Sequence, residues 1–312
     1  MIIFGPVPSR RLITSLGINN ILPPKQCSYS CVYCQVGETS NKSMFRTELY
    51  KPQHIYEKVK SHLKKIDLTH RPKYLTIVAN GEPTLDINLG TLIRQLQQLG
   101  LPVAVITNAS LLDKEHTRND LYNADWVSVK IDSVNEASWK KINRPYIWLN
   151  LDAILEGIKI FSNDYKGILN TETMLVEGYN DSISDIQNTA KFISGLKPNK
   201  AYISIPTRPP VEKGVKPVSE ARIAEAWQIF KNHNINVETL TGFEGTDTGY
   251  TGDAQADILT ISSVHPLRED TIDELLEKDS ADHSVLEQLI QNGKIKKSSF
   301  NGFNYYTRTY NT

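Results

Sequence analysis

Cys27, Cys31 and Cys34 are the only cysteines in the 312-residue chain, and they fall in one short run, Cys27-Ser28-Tyr29-Ser30-Cys31-Val32-Tyr33-Cys34. A C-x3-C-x2-C loop can bring three thiolates onto three corners of a cuboidal iron–sulfur cluster, which a fourth protein ligand would normally complete. The chain has no fourth cysteine, so one iron is left open for a ligand that is not protein. Zinc favours four closed ligands, usually in paired C-x2-4-C units, and no second pair or nearby histidine follows here. A disulfide framework fails on the odd count and the missing secretory segment. Inert cysteines packed as small hydrophobes have no reason to crowd together.

Other residues could bind what the cluster leaves open. Asn80-Gly81-Glu82-Pro83 follows an apolar run, Tyr74 to Asn80, that reads as a buried strand. An ammonium group needs carbonyl and carboxylate acceptors, and a glycine lets backbone approach closely. The competing reading is an ordinary strand-to-turn corner. Further polar residues stand at or near strand ends, where sites in parallel sheets form: Asn108, Lys130, Asp132, Glu172 and Thr173. Arg10, Arg11, Arg144 and Arg208 are candidates for a phosphate or carboxylate on a substrate, although a lone arginine is more often in a structural salt bridge. The histidines form no ligand cluster, and His265-Pro266 reads as the start of a terminal unit.

The elements that must position these residues alternate regularly. Apolar strands are expected at Leu16–Leu22, Tyr74–Asn80, Val103–Thr107, Trp126–Ile131, Ile168–Val176 and Tyr202–Ile205. Helical spacing of apolar residues marks Pro52–Lys65, Leu89–Leu96, Asp113–Asn123, Leu151–Phe161, Ile183–Ser194 and Ser219–Phe230. Six strand–helix units of this kind predict an α/β fold, a parallel sheet with helices on its outer face. Six are too few for a closed eight-fold barrel, so a partial (β/α)6 barrel of TIM type is expected over residues 1–240.

Residues 241–253 hold four glycines among polar residues and read as a linker. Residues 254–312 then predict two short helices, Thr271–Lys278 and Ser284–Gln291, and a hairpin of Lys294–Phe300 and Phe303–Tyr310 around Asn301-Gly302. Together they suggest a small winged-helix-like domain. Lys+Arg and Asp+Glu balance at 35 each, which argues against a protein that coats nucleic acid. No run approaches the ~18 apolar residues of a membrane span, and the amino terminus does not read as a targeting segment. A cytoplasmic protein is expected.

The cysteine spacing with Tyr33 before the last cysteine resembles the signature of the radical S-adenosylmethionine (SAM) superfamily. Asn80-Gly81-Glu82-Pro83 resembles its G-G-E-P segment, with Asn80 in place of the first glycine. Gly5-Pro6-Val7-Pro8-Ser9-Arg10-Arg11, Ile142-Asn143-Arg144-Pro145, Thr207-Arg208-Pro209-Pro210 and Val264-His265-Pro266 resemble one branch, iron–sulfur oxidoreductases related to the tRNA-modifying enzymes that build wyosine. The likeness runs over essentially the whole chain.

It implies a 4Fe-4S cluster on Cys27, Cys31 and Cys34, with SAM on the open iron. SAM's amino group would meet Asn80, Gly81, Glu82 and Pro83. Tyr33 would lie beside the adenine, and Asn108, Lys130, Asp132, Glu172 and Thr173 would contact the rest of SAM. It further implies reductive cleavage of SAM to a 5′-deoxyadenosyl radical that takes hydrogen from a substrate, an RNA base or a peptide or protein being the classes considered. No catalytic residue beyond cluster and SAM is expected, and the electron would come from a low-potential ferredoxin or flavodoxin.

A second function class is an iron–sulfur redox sensor that regulates transcription through a DNA-binding winged helix. Against it, the expected recognition helix Ser284–Gln291 carries Glu287 and no lysine or arginine, an awkward face for phosphates. The hairpin does carry Lys294, Lys296, Lys297 and Arg308.

Overall fold

The computed structural model describes residues 2–66 and 71–309. Its centre is one sheet in which β1 to β8 lie side by side in chain order. β1 (Ile3–Ser9) runs antiparallel to β2 (Ile13–Ile18). From β2 onward every neighbour is parallel: β3 (Tyr74–Ile77), β4 (Val103–Thr107), β5 (Trp126–Lys130), β6 (Ile168–Met174), β7 (Lys200–Ser204) and β8 (Val237–Leu240). The sheet curls into an open half-barrel, a partial TIM-type fold.

The six expected strands are β2 to β7, and two more flank them. β1 contains Pro6 and Pro8, which argue against a central strand. It escapes that rule as an edge strand, with an irregularity between Phe4 and Val7. β8 is only four residues long, two of them polar, so periodicity hides it. Helices α1 (Pro52–Leu63), α2 (Leu89–Gln97), α3 (Glu115–Leu121), α4 (Glu136–Asn143), α5 (Leu151–Asp164), α6 (Ile183–Leu196) and α7 (Glu220–Asn232) complete the large unit. α4 was not legible in the apolar pattern; Asn135 starts it by accepting the N–H groups of Ala137 and Ser138, and its cap is worth about 1 kcal/mol.

Strand alternation sorts the sheet's two faces. Leu16, Leu75, Ile77, Val103, Val105, Val127, Val129 and Leu169 pack outward against Ile55, Leu92, Ile93, Ile158, Phe161 and Ile193 of the helices. The inner face starts apolar, with Leu12, Ala104, Trp126, Tyr202 and Leu240 clustered. Farther along the same face come Lys130, Glu172, Met174 and Ser204, which line a cavity.

The terminal unit holds α8 (Ala254–Ile261), β9 (Leu267–Arg268), α9 (Glu269–Lys278), α10 (Ser284–Gln291), β10 (Ile295–Phe300) and β11 (Phe303–Arg308). Its three strands are ordered β10-β11-β9. The expected hairpin turns at Asn301 and Gly302, both at positive φ, as a primed two-residue turn requires; Tyr310 lies outside the described residues. Leu267, Ile272, Leu275, Leu286 and Leu289 form a core that also takes in Phe4 and Val7 of β1. The terminal unit therefore covers the edge strand of the half-barrel. Residues 241–253, expected to be a spacer, are packed as well: Gly249 N–H donates to the Pro6 carbonyl at 2.6 Å, and Thr248 is buried. Among the described residues no helix is long and apolar enough to cross a membrane.

Phe4 connects the two units. It pairs with Gly17 across β1 and β2, and a Cβ at Gly17 would fall 2.0 Å from the Phe4 ring. Phe4→Ala should cost about 3–5 kcal/mol, as core aromatic truncations do. Denaturant unfolding measures that loss, and protease cleavage within residues 241–253 should rise with it.

Candidate active site

The cysteine loop leaves β2 and is held on two sides by backbone. On one side Gln26 bridges Gly81, and its carbonyl accepts the Glu82 N–H at 3.0 Å. Gly81 sits at φ +141°, and a Cβ there would lie 1.7 Å from the Gln26 oxygen. Only glycine permits that approach. On the other side Ser30 N–H donates to Asn143 O and Val32 N–H to Ile142 O, each at 3.0 Å, while Tyr146 N–H donates to Ser28 O at 2.8 Å. The Asn80–Pro83 and Ile142–Pro145 motifs are thus the two jaws of one clamp.

Each sulfur in the clamp has its own N–H donor. Lys25 Nζ lies 3.1 Å from Cys34 Sγ, Asn143 Nδ2 3.4 Å from Cys31 Sγ, and Asn108 Nδ2 3.5 Å from Cys27 Sγ. Burial pushes the Cys27 thiol well above its ordinary range, with Cys31 and Glu82 adding to the effect. Burial, then Asp132 and Cys34, push Cys31 up to about 11. Thiols so placed stay neutral until a cation binds, and coordination to a metal deprotonates them. Among the described residues no three Cys, His, Asp or Glu side chains are arranged to hold a single metal ion. A cuboidal cluster needs no such convergence, because its protein ligands attach to separate irons. The three donor-backed sulfurs fit it.

The carboxylates beside the loop are engaged. Glu82 is buried and accepts from Thr84 N–H (3.0 Å), Thr84 Oγ1 (2.6 Å), Thr107 Oγ1 (2.6 Å) and Asn108 N–H (2.7 Å). Asp132 takes the Tyr33 hydroxyl, Asn143 Nδ2 at 2.7 Å and Met174 N–H at 2.9 Å. That fixes the Tyr33 ring, with Lys130 Nζ 4.9 Å from its centroid. Asn80 differs: it is buried, and its Oδ1 has no hydrogen-bond partner among the described residues. An orphaned buried acceptor costs about 1–3 kcal/mol. A bound ammonium would satisfy it.

A cavity of about 250 Å³ opens beside Cys34 on the inner face, and Arg10, Arg11 and Arg208 converge there with Lys130, Glu172 and Glu244. Arg11 Nη2 pairs with Glu172, which also accepts from Lys130 Nζ at 3.1 Å and Ser204 Oγ at 2.9 Å. Burial alone would raise Glu172; Arg11 and Lys130 overcome it and hold the carboxylate well below its usual range. Arg208 pairs with Glu244, and its Nη2 lies 2.9 Å from His265 Nε2. His265, the start of the terminal unit, thus stands behind the cavity wall, against Arg208. Burial, then Arg208, drive it down to about 3 and keep it neutral.

Two expected site residues stand elsewhere. Thr173 is on the opposite face of β6 from Glu172 and donates its hydroxyl to Ile131 O at 2.8 Å. Arg144 is exposed and pairs with Glu212 at 2.8 Å, outside the cavity. A broader groove of about 600 Å³ lies between α1 and α8; none of the expected site residues line it.

The radical SAM superfamily profile matches residues 21–193, more than half of the chain. The chain belongs to the radical SAM superfamily. A UPF0026 protein of Methanocaldococcus jannaschii is 45% identical over 309 residues, 98% of this chain and 96% of its own. An S-adenosylmethionine-dependent nucleotide dehydratase of Flammeovirga pacifica is 25% identical over 55% of this chain and 61% of its own length. The crystal structure of Streptococcus suis SuiB bound to S-adenosylmethionine superposes with a TM-score of 0.53 at 13% identity, over 72% of this chain and 49% of SuiB. That likeness shows the fold. Members of the superfamily use a 4Fe-4S cluster and SAM, and this radical SAM protein is an enzyme.

Lys25, Gln35 and Glu244 were not singled out by the sequence, and His265 was read only as the start of the terminal unit and as part of the Val264-His265-Pro266 motif. Lys25 stands two residues before Cys27, which is the one local hint. Glu244 was hidden in a glycine-rich stretch. Its carboxylate would be raised by burial, but Arg208, with Arg10, holds it down to about 2 from an ordinary 4.5. The stabilisation is therefore complete above about pH 4.5 and is lost as pH falls toward 2. Relative to Glu244→Gln, the metal-free wild-type protein should lose up to roughly 3 kcal/mol across that window. Urea unfolding at a series of pH values measures it.

Proposed function

We propose that Cys27, Cys31 and Cys34 hold a 4Fe-4S cluster whose open iron binds SAM, and that the enzyme acts on a substrate seated in the inner cavity. The observation that carries this reading is the clamped loop, in which three sulfurs each have a separate N–H donor. When bound, cluster and SAM supply a 5′-deoxyadenosyl radical that removes hydrogen from a substrate carbon.

The chain's own residues bind, orient and exclude water. Lys25, Asn108 and Asn143 direct N–H groups at the sulfurs, which favours the more negative, reduced centre. Asn80 Oδ1 and the carbonyls around Gly81 accept from SAM's ammonium, with Glu82 holding the strand end that presents them. Tyr33, fixed by Asp132 beneath Lys130, offers a flat wall to the adenine. Glu172 and Lys130 stand on the inner face within reach of SAM's polar groups. A low-potential ferredoxin or flavodoxin in the cytoplasm supplies the electron.

Anaerobic reconstitution with iron and sulfide should load about four irons per chain, and SAM with dithionite should then release 5′-deoxyadenosine. Cys31→Ala should lower iron content and reduce nucleoside release at least about a hundredfold, to background. Uptake of zinc instead of iron, or iron loading with SAM left intact, would overturn the reading.

A further inference from the structure

The inner cavity carries more positive charge than its own carboxylates balance. Arg10, Arg11, Lys130 and Arg208 face Glu172 and Glu244. Both carboxylates are committed, Glu172 to Arg11 and Lys130, Glu244 to Arg208 and, at 3.9 Å, to Arg10.

The donors tell the same story at atomic scale. The Nε–H groups of Arg10 and Arg11 are buried and have no acceptor among the described residues. The Nε edge of a guanidinium is half of the fork that grips phosphate or carboxylate with two parallel hydrogen bonds. Both forks are held in advance: Arg10 Nη1 donates to Gly242 O at 2.7 Å, and Arg11 is anchored by Glu172 and lies 5.9 Å from the Tyr202 ring centroid. Burial lowers Arg10 below the ordinary guanidinium range; Glu244 opposes this, while Arg11 and Arg208 add to it. A ligand oxyanion would relieve both the crowding and the orphaned donors.

We propose that the substrate carries an oxyanion, phosphate or carboxylate, bound between Arg10 and Arg11 in the inner cavity. This rests on the reading of the cavity as the substrate chamber. SAM's own carboxylate is the other source of such a group. The backbone of Arg10 and Arg11 lies in the turn between β1 and β2, but the Arg11 guanidinium reaches in to Glu172, so the arm with saturating SAM is what separates the two sources.

The test is titration of the reconstituted holoprotein with inorganic phosphate at constant ionic strength, followed by phosphorus NMR line broadening, with and without saturating SAM. Saturable binding is expected in both conditions. It should weaken at least tenfold in Arg10→Gln and stay unchanged in Arg222→Gln, a surface control on α7. Arg11→Gln would leave the buried Glu172 with Lys130 as its one cationic partner, so the paired change Arg11→Gln with Glu172→Gln is used, with the same loss expected. Absence of saturable binding, equal binding in the variants, or displacement of phosphate by SAM would each overturn the proposal. Phosphate binding needs only the folded cavity, so failure to form 5′-deoxyadenosine with phosphate still bound would sink the radical SAM reading of the site and leave the anion site standing.

Discussion

The approach of the Gln26 carbonyl to Gly81 is the contact on which the site depends. Three thiols in a buried loop have no helix or strand of their own to hold them. Their spacing must come from backbone bonds to neighbouring segments, and those bonds form only if the segments come very near. A side chain at position 81 would push Gln26 away by about a bond length or more. On the far side the Ser30 and Val32 N–H groups hang from carbonyls at the end of α4. The loop is rigid because both jaws are made of main chain, whose hydrogen-bonding groups must be satisfied wherever they are buried.

The second constraint is electrostatic and follows from the pleat. A strand that shows Val127 and Val129 to the helices must show Trp126, Ser128 and Lys130 to the interior. A half-barrel has too few strands to fill that interior with apolar side chains, so its upper part is left for charged groups and a ligand. Charges in such a place must be paired. Lys130–Glu172–Arg11 and Arg208–Glu244 do this across β5, β6, the β1–β2 turn and the segment after β8, which ties distant parts of the chain through the cavity itself. Removing one partner of such a pair costs about 3–5 kcal/mol; the network is structural as well as chemical.

Much of this was legible in the amino-acid sequence, and the reasons are local. Apolar runs of four to seven residues separated by amphipathic helices identify β2 to β7, and the cysteine spacing needs no tertiary information at all. The Asn-Gly turn at 301–302 reads correctly because its backbone demand is met by two residue types. What escaped depends on partners far along the chain. β1 looks like a loop because of its prolines, and only its position at the sheet edge makes it a strand. Asn143 lay inside a quoted motif, yet nothing local says that its amide reaches Cys31. Glu244 and His265 are ordinary residues until Arg208, some tens of positions away, comes between them. The face on which Thr173 lies is a register question, and a one-residue shift in the strand's reading exchanges it with Glu172.

The terminal unit completes the site by a route the local pattern does not show. It buries Phe4 and Val7 of the edge strand, which otherwise would expose both apolar side chains and unpaired backbone groups. The same packing brings His265 to Arg208, and Tyr305 Oη donates to Thr207 O at 2.9 Å. Gln35, the residue after Cys34, accepts from Arg208 at 3.1 Å and donates to Val264 O at 2.9 Å. A continuous set of hydrogen bonds thus runs from the cysteine loop through the cavity wall into the terminal unit. A displacement of that unit would have to break these bonds. None of the terminal unit's described residues lines the cavity itself; it acts one layer out, fixing Arg208, Thr207 and Gln35, which do line it, from behind.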